Sequence, residues 1–403
     1  MELTELYSST MTALFATVLI VLCIVILLLR DTKWLQRMHR LGDATRDDRT
    51  PLAETPLVSV IVPMRNEQDN VARCLDGLAA QTDARYEVIV VDDGSTDATP
   101  DILAHYAARD PAPEWLRVVS GRPLPAGWVG KCNACLHGSE FARGEWLLFL
   151  DADTAPQPGL LRDMIADATA RNLDALSLFP FNELGSLAER IILPVFFQFA
   201  WTVFPLAQTG DPDAAPERAL ANGQCFLFRA DVYRAMGGHG AVKDKVLEDV
   251  EFAHALRRAG YRLGLAFGME QLRARMYHNF AEVAQGLAKH AWNGRQAGGW
   301  RSYWGIARMM LTLFMPVVLV LVCAASLIIE PTIPALSAFA VACAGFVTAK
   351  LFWRRILREL YALPGAYALL LPFGLAAYLF IIVRGTLAIL LNRGVTWKGR
   401  SYR

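Results

Sequence analysis

Val58-Ser59-Val60-Ile61-Val62-Pro63 and Tyr86-Glu87-Val88-Ile89-Val90-Val91 are two short, mostly β-branched runs, and residues 71–78 between them place apolar side chains at helical spacing. The two runs predict strands and the interval predicts a helix. Residues 116–119 and 146–150 add candidate strands, again with helical intervals between them. This alternation predicts an α/β domain with a mainly parallel sheet and helices on both faces.

Three polar clusters follow directly on predicted strands. They are Arg65-Asn66-Glu67, Asp92-Asp93-Gly94-Ser95 and Asp151-Ala152-Asp153. Because ligands of such sheets bind beyond the carboxyl ends of the strands, these clusters mark the predicted site.

Asp151 and Asp153 are the candidate metal ligands. Past the end of a strand, on a bending loop, both carboxylates can approach one site. Mg²⁺ or Mn²⁺ binds through one or two carboxylates plus substrate phosphate oxygens, which suits a nucleoside diphosphate. The alternative for this short motif is a solvated turn.

Asp92 and Asp93 enter a turn with Gly94. A carboxylate fixed there can accept hydrogen bonds from a nucleobase imide or a ribose. The alternative is that Asp and Gly serve only the turn and that Ser95 or Asp97 caps the next helix.

Glu248 and Asp249 open a helical pattern that continues to Gly260. The functional interpretation makes Asp249 a general base that takes a proton from an attacking hydroxyl. The structural alternative is an acidic first turn favoured by the helix dipole, with Asp249 as a cap.

Apolar runs at both ends of the chain predict membrane segments. Residues 11–29 carry no charge and approach the length that crosses a bilayer, and further runs lie near 311–329, 333–352 and 364–391. Basic residues after the first run place the middle domain in the cytoplasm by the positive-inside rule. The last run, interrupted by Arg384, either crosses or re-enters, and the sequence leaves this open.

Charge and cysteine content exclude some classes of function. The 40 Lys and Arg residues balance 39 Asp and Glu residues, so nothing indicates a nucleic-acid partner. Cys132 and Cys135 have redox or zinc spacing, but no second pair completes a zinc site, and packing on a helix face is favoured.

The apolar segment 183–208 is interpreted either as a core helix or as a segment at the membrane interface.

In this order, the motifs resemble family 2 glycosyltransferases over roughly Leu57 to Arg301. The resemblance implies a Rossmann-like nucleotide-sugar-binding (GT-A) domain and an inverting, metal-dependent sugar transfer. The motifs are Val62-Pro63-Met64-Arg65-Asn66-Glu67, Val91 to Asp97, Asp151-Ala152-Asp153 and Glu248-Asp249. Carried onto this chain, the resemblance implies that the donor is bound by Pro63, Glu67, Asp92, Asp93 and Asp151. It also implies that Asp151 and Asp153 bind Mg²⁺ or Mn²⁺, and that Asp249 is the base, with Glu248 as the second candidate.

Two further segments, residues 124–131 and 394–402, look like parts of hopanoid-associated and carotenoid glycosyltransferases. This resemblance implies a lipid-soluble acceptor and places Lys131 beside the donor diphosphate, where a lysine point charge suits phosphate. The donor is expected to be a nucleotide sugar, with a UDP-sugar favoured, and the protein is expected in the bacterial inner membrane as a multi-pass enzyme with a cytoplasmic catalytic domain.

The predicted organisation is an anchor at 1–30, a basic linker at 31–56, a catalytic domain at 57–301 and a membrane region with a basic tail at 302–403. The alternatives are a processive polysaccharide synthase, a polyprenyl-phosphate glycosyltransferase, and a nucleotide-sensing or transport protein. Processive synthases that resemble this family carry Gln-x-x-Arg-Trp after the catalytic acid. The nearest material here is Lys289–Arg295, which disfavours polymer synthesis.

Overall fold

The computed structural model describes residues 2–35, 38–43, 56–109, 114–204, 215–245, 247–288, 299–391, 395–397 and 400–402. The chain forms two compact units. The sheet unit comprises Met38–Glu183, Phe204–Tyr277 and Asn392–Arg403, and the helical unit comprises Met1–Arg37, Leu184–Val203 and His278–Leu391. Lys289–Arg295, the segment nearest to a processive motif, lies outside the described residues.

Eight strands of the described chain form the main sheet. They are β1 (Leu57–Met64), β2 (Arg85–Asp92), β3 (Leu116–Ser120), β4 (Trp146–Leu150), β5 (Thr154–Pro156), β6 (Ala175–Asn182), β7 (Cys225–Arg229) and β8 (Leu263–Ala274). Their order is β3-β2-β1-β4-β7-β6-β8-β5. The pairs among β1 to β4 and the pair β6–β8 are parallel, whereas β7 and β5 run antiparallel to their neighbours. The predicted mainly parallel sheet is therefore confirmed, with two reversed strands that the sequence analysis did not predict.

Helices cover both faces of this sheet. They are α2 (Val71–Ala79), α3 (Thr99–Ala107), α4 (Gly130–Ser139), α5 (Leu160–Ala170), α7 (Ala230–Ala235) and α8 (Glu248–Arg258). Side chains alternate along β1, since Val60 belongs to a buried cluster with Leu75 of α2, while Ile61 belongs to a second cluster with Cys135 of α4 and Phe252 of α8. Burial on both faces fixes the strand register and thus the ends of β1, β2 and β4.

The helical unit holds the long apolar helices. They are α1 (Glu2–Leu35), α6 (Leu187–Val203), α9 (Trp300–Met309), α10 (Met315–Ile329), α11 (Ile333–Tyr361) and α12 (Leu371–Leu390). Four stretches of the described chain are long and apolar enough to cross a membrane: Ser8–Lys33, Trp300–Ile329, Ile333–Tyr361 and Leu371–Ala388. Each overlaps one of the predicted runs. The last begins only at Leu371, because a 3₁₀ turn, Gly365–Leu369, precedes it.

The apolar segment 183–208 contributes α6 to the helical unit. Gly305 of α9 lies so close to α6 that a Cβ there would stand 3.0 Å from the Phe199 ring. Gly374 of α12 packs against the Ile191 carbonyl of the same helix. Helix α6 therefore packs against apolar helices of its own unit, and its place at a membrane interface stays a prediction.

Candidate active site

The loops that follow β1 and β2 are joined by hydrogen bonds. The Asn66 N–H donates to Ser95 Oγ at 3.0 Å, the Thr96 N–H donates to Asn66 Oδ1 at 2.8 Å, and the Glu67 N–H donates to Thr99 Oγ1 at 2.8 Å. Asn66 adopts a left-handed conformation with φ of 53°, which asparagine tolerates better than most residues. The first two predicted clusters therefore form one surface.

Asp92 and Asp93 occupy the turn within this surface. Asp92 Oδ1 accepts a hydrogen bond from the Ser95 N–H at 3.0 Å, so one carboxylate oxygen of Asp92 helps to maintain the turn. Asp93 is buried, and its N–H donates to the Met64 carbonyl at 2.8 Å. Pro63 is half-buried near the end of β1. All three lie where the sequence predicted donor contacts.

Asp151 and Asp153 follow β4. The Asp151 N–H donates to the Gln224 carbonyl at 3.0 Å, and Gln224 Nε2 lies 3.4 Å from Asp153 Oδ1. The buried Cys74 thiol reports on the surrounding charge, because its pKa is raised first by burial and then by the carboxylates of Asp153, Glu67 and Asp151. The Cys74 thiol therefore stays protonated.

Lys131, in the first turn of α4, carries the cation of the site. Its Nζ lies 2.8 Å from Asp151 Oδ1 and 2.9 Å from Glu248 Oε1, and it donates to the Gly223 carbonyl at 3.2 Å. Burial would lower the pKa of Lys131, but the two carboxylates outweigh burial and hold the pKa well above its ordinary value. Lys131 is therefore a permanent ammonium between the metal-ligand candidate and the acidic helix turn.

Glu248 and Asp249 are neighbours with different environments. Burial would raise the pKa of Glu248, but the Lys131 ammonium outweighs burial and lowers it. The pKa of Asp249 is raised to about 6, first by burial and then by the Glu248 carboxylate, against the effects of Lys131 and two N–H donors. Those donors are the N–H groups of Gly223, at 2.8 Å, and Val250, at 2.9 Å. Leu247 is the N-cap of α8, so Asp249 is not the cap.

The turn Asn222-Gly223-Gln224 is a functional element that the sequence analysis missed. Its backbone accepts from Lys131 and from the Asp151 N–H, and donates to Asp249. A Cβ on Gly223 would stand 3.1 Å from Lys131 Nζ and 3.2 Å from Asp249 Oδ2, so a glycine fits the turn best. The signal available in the sequence was an Asn-Gly pair directly before the apolar run of β7.

His239 is a second residue that the sequence analysis did not single out. It lines a small pocket together with Lys131, Glu248 and Asp249. The ring is buried, accepts or donates a hydrogen bond at 2.8 Å with the Tyr233 hydroxyl, and has its pKa lowered to about 3 by burial. A neutral, enclosed imidazole of this kind supports the pocket and leaves Asp249 as the better base candidate.

The described residues contain no group of three or more His, Cys, Asp or Glu side chains arranged to hold a metal ion. A pair of carboxylates is nevertheless a sufficient protein share for Mg²⁺ or Mn²⁺ when substrate phosphates complete the coordination. By their chemistry Asp151 and Asp153 could supply such a pair, with Asp151 also bound to Lys131. Cys132 and Cys135 do not contribute, because both are buried free thiols whose pKa values burial raises.

Residues 59–236 match the family model described as Glycosyl transferase family 2. This segment is a family 2 glycosyltransferase domain. The match confirms the stated resemblance and, together with the sheet, the nucleotide-sugar-binding α/β fold class. Glu248 and Asp249 lie beyond the matched residues, and the individual residue roles remain predictions.

Relatives of the family 2 domain differ in how much of the chain they match. The 4,4'-diaponeurosporenoate glycosyltransferase of Staphylococcus haemolyticus is 26% identical over 239 residues, which is 59% of this chain and 61% of that protein. A succinoglycan biosynthesis protein of Rhizobium meliloti is 35% identical over 159 residues, 36% of this chain and 43% of its own. The chain thus spans less than two thirds of the length of these relatives.

A solved structure with a similar course is the mannosyltransferase of Pyrobaculum calidifontis in complex with GDP-Man and Mn²⁺. The similarity covers 96% of this chain and 99% of that one, with 18% sequence identity and a TM-score of 0.49.

Proposed function

We propose that the protein is an inverting, metal-dependent glycosyltransferase that moves a sugar from a nucleotide diphosphate sugar to the hydroxyl of a lipid-soluble acceptor. The observation that carries the proposal is the arrangement around Gly223. Its turn holds Asp249 by one hydrogen bond and meets Lys131 and Asp151 by others. The base candidate Asp249 and the metal-ligand candidate Asp151 are therefore hydrogen-bonded to the same turn, Asn222-Gly223-Gln224.

On the donor side, Glu67, Asp92 and Asp93 would bind the nucleoside, and Asp151 and Asp153 would hold Mg²⁺ or Mn²⁺. The metal, when bound, would supply charge stabilisation to the departing diphosphate. Lys131 would contribute a fixed positive charge beside the same group. A UDP-sugar is the favoured donor.

On the acceptor side, Asp249 is the proposed general base. A base is effective when its pKa lies near the working pH, and Asp249 is the acid of this pair with a raised pKa. Glu248 is less suited, because its carboxylate forms an ion pair with Lys131. A single displacement by the activated hydroxyl would invert the anomeric centre.

The lipid acceptor is supported by two findings. Four apolar stretches of the described chain are long enough to cross a membrane. The relatives named 4,4'-diaponeurosporenoate glycosyltransferase match 59% and 60% of this chain, a larger share than the 36% of the succinoglycan protein. A carotenoid, hopanoid or related hydroxyl lipid is the proposed acceptor class, and the cytoplasmic face of the bacterial inner membrane is the proposed site.

Mass spectrometry of total lipids from cells with and without the gene tests this function. A glycosylated lipid that disappears with the gene, and returns with the wild-type gene but not with the Asp249→Asn gene, is the expected result. An unchanged lipid profile together with a lost polysaccharide would overturn the lipid acceptor and favour polymer synthesis.

Membrane orientation has its own test. In the tail, β9 (Val395–Trp397) pairs antiparallel with β10 (Arg400–Tyr402), and both strands belong to the sheet unit. A cysteine at position 401 should therefore resist membrane-impermeant thiol reagents in intact cells, as expected for a cytoplasmic catalytic domain. Labelling from outside would contradict this orientation.

A further inference from the structure

The ammonium of Lys131 is saturated with protein acceptors. A lysine ammonium has three donors and no acceptor. Here the Lys131 Nζ atom lies 2.8 and 3.0 Å from the two carboxylate oxygens of Asp151. It also lies 2.9 Å from Glu248 Oε1 and 3.2 Å from the Gly223 carbonyl oxygen. A donor diphosphate can therefore gain a hydrogen bond from Lys131 only if one of these three acceptors gives it up.

Asp151 is the acceptor with a competing task. Both of its carboxylate oxygens face the ammonium, so neither is available to a divalent ion without displacing or sharing that contact. The ammonium also repels a second cation at the same carboxylate, and this repulsion is strong where water is partly excluded. Asp151 cannot bind Lys131 and a divalent metal equally well at the same time.

Glu248 has no such conflict. It is buried, and an ionised carboxylate in that position needs a compensating cation. Its contact with Lys131 can persist while the Asp151 contact is exchanged, because the two carboxylates meet the ammonium separately.

We infer that Lys131 is the resident counter-ion of the metal site, neutralising Asp151 in the donor-free protein and passing from Asp151 to the diphosphate when the metal–nucleotide complex binds. This inference rests on the proposed function, since it assumes that Asp151 and Asp153 take a metal together with a nucleoside diphosphate. Its consequence is an ordered site. Metal alone binds weakly, and metal with nucleotide binds well, because the diphosphate gives the displaced ammonium a new partner.

The test measures Mn²⁺ binding to the purified full-length protein by the electron paramagnetic resonance signal of free Mn²⁺, with and without UDP or GDP. In the wild type we expect nucleotide to strengthen Mn²⁺ binding markedly. In Lys131→Met, Mn²⁺ alone should bind about tenfold more tightly than to the wild type, because the competing charge is gone. The strengthening by nucleotide should shrink by a similar factor, since metal and nucleotide affinities are reciprocally linked.

Arg229→Met is the matched control. Arg229 is the last residue of β7, at the end of the strand away from Gly223, and it pairs with Asp231. The substitution therefore removes one positive charge outside the site. Mn²⁺ binding should match the wild type. Lys131→Gln, which keeps an N–H donor for Gly223 or Glu248 without the charge, replaces Lys131→Met if thermal unfolding shows that the methionine variant does not fold.

The outcomes distinguish failure of the counter-ion inference from failure of the proposed function. Nucleotide-dependent Mn²⁺ binding in the wild type, with unchanged or weaker Mn²⁺ binding in the folded Lys131 variant, overturns the counter-ion inference and leaves the proposed function standing. A wild type that binds Mn²⁺ neither alone nor with UDP or GDP overturns the proposed metal dependence, and the inference with it.

Discussion

The two sides of the candidate site are built in different ways. The proposed donor side consists of residues at or just beyond the carboxyl ends of β1, β2 and β4, namely Glu67, Asp92, Asp93, Asp151 and Asp153. The proposed acceptor side, Glu248 and Asp249, lies in the first turn of α8, and Asp249 accepts a hydrogen bond from the N–H of Gly223, 26 residues earlier in the chain. Strand topology brings the proposed donor side together, with further contacts from Asp151 and Asp153 to Gln224, whereas the proposed acceptor side depends on the Gly223 turn for the position of Asp249.

The largest expected effect tests the donor side. Excess chelator should abolish sugar transfer, because the departing diphosphate would lose its compensating charge. Asp153→Asn should lose metal-dependent donor binding as well as turnover, measured by titrating nucleotide in the presence of Mn²⁺. Asp101→Asn, an exposed acid in the first turn of α3, is the control and should behave as wild type. Full turnover in excess chelator would remove the metal from the proposed reaction.

The acceptor side should fail differently. Asp249→Asn keeps the shape and can still accept the Gly223 N–H, but it cannot take a proton. General-base catalysis contributes roughly 10²–10⁴-fold, so kcat should fall by that factor with donor affinity nearly unchanged. Glu251→Gln, another acid in the same helix turn, should retain activity. Transfer within a few-fold of wild type would make Glu248 the next candidate.

The turn that links the two sides can be tested at Gly223. Gly223→Ala places a Cβ 3.1 Å from Lys131 Nζ and 3.2 Å from Asp249 Oδ2, so these side chains must shift by a few tenths of an ångström. We expect kcat to fall about tenfold to hundredfold, because small misplacements of a reacting group are expensive. Gly240→Ala, whose Cβ would meet its nearest neighbours at 3.7 Å, is the control. Equal activity of both variants would show that the turn does not position the base.

The same difference explains what could be predicted from the sequence. The strand-like runs and the polar residues that follow them predicted where the proposed donor-side residues lie, because the carboxyl ends of parallel strands meet at one sheet edge. The helix that starts at Glu248 was also predictable from its pattern. The Gly223 turn, the reversed β7 that follows it, and the enclosed His239 arise from contacts between segments far apart in sequence, and no local periodicity reports such contacts.

The pairing of Lys131 shows a further limit. Its position near the donor came from resemblance to a family, but a motif cannot show that Asp151, Glu248 and Gly223 share its ammonium. The Lys131 ammonium outweighs burial and lowers the pKa of Glu248, whereas burial and the Glu248 carboxylate raise the pKa of Asp249, and on this difference we propose Asp249 as the base.

The smallest expected effect is a pH dependence that belongs to the acceptor side. With the pKa of Asp249 raised to about 6, the base is deprotonated above that pH and protonated below it. Because only the deprotonated form accepts a proton, kcat/KM should fall about tenfold per pH unit below pH 6 and level off above it. An aspartate at the ordinary value of 3.8 would place this limb about two units lower.

Donor binding measured at each pH separates this limb from protonation of the donor side. Glu248→Gln removes the neighbouring negative charge and should move the limb to lower pH, whereas Asp231→Asn, an exposed acid paired with Arg229, should leave it in place. A limb that stays near pH 4 in the wild type, or that does not respond to Glu248→Gln, would contradict Asp249 as the titrating base.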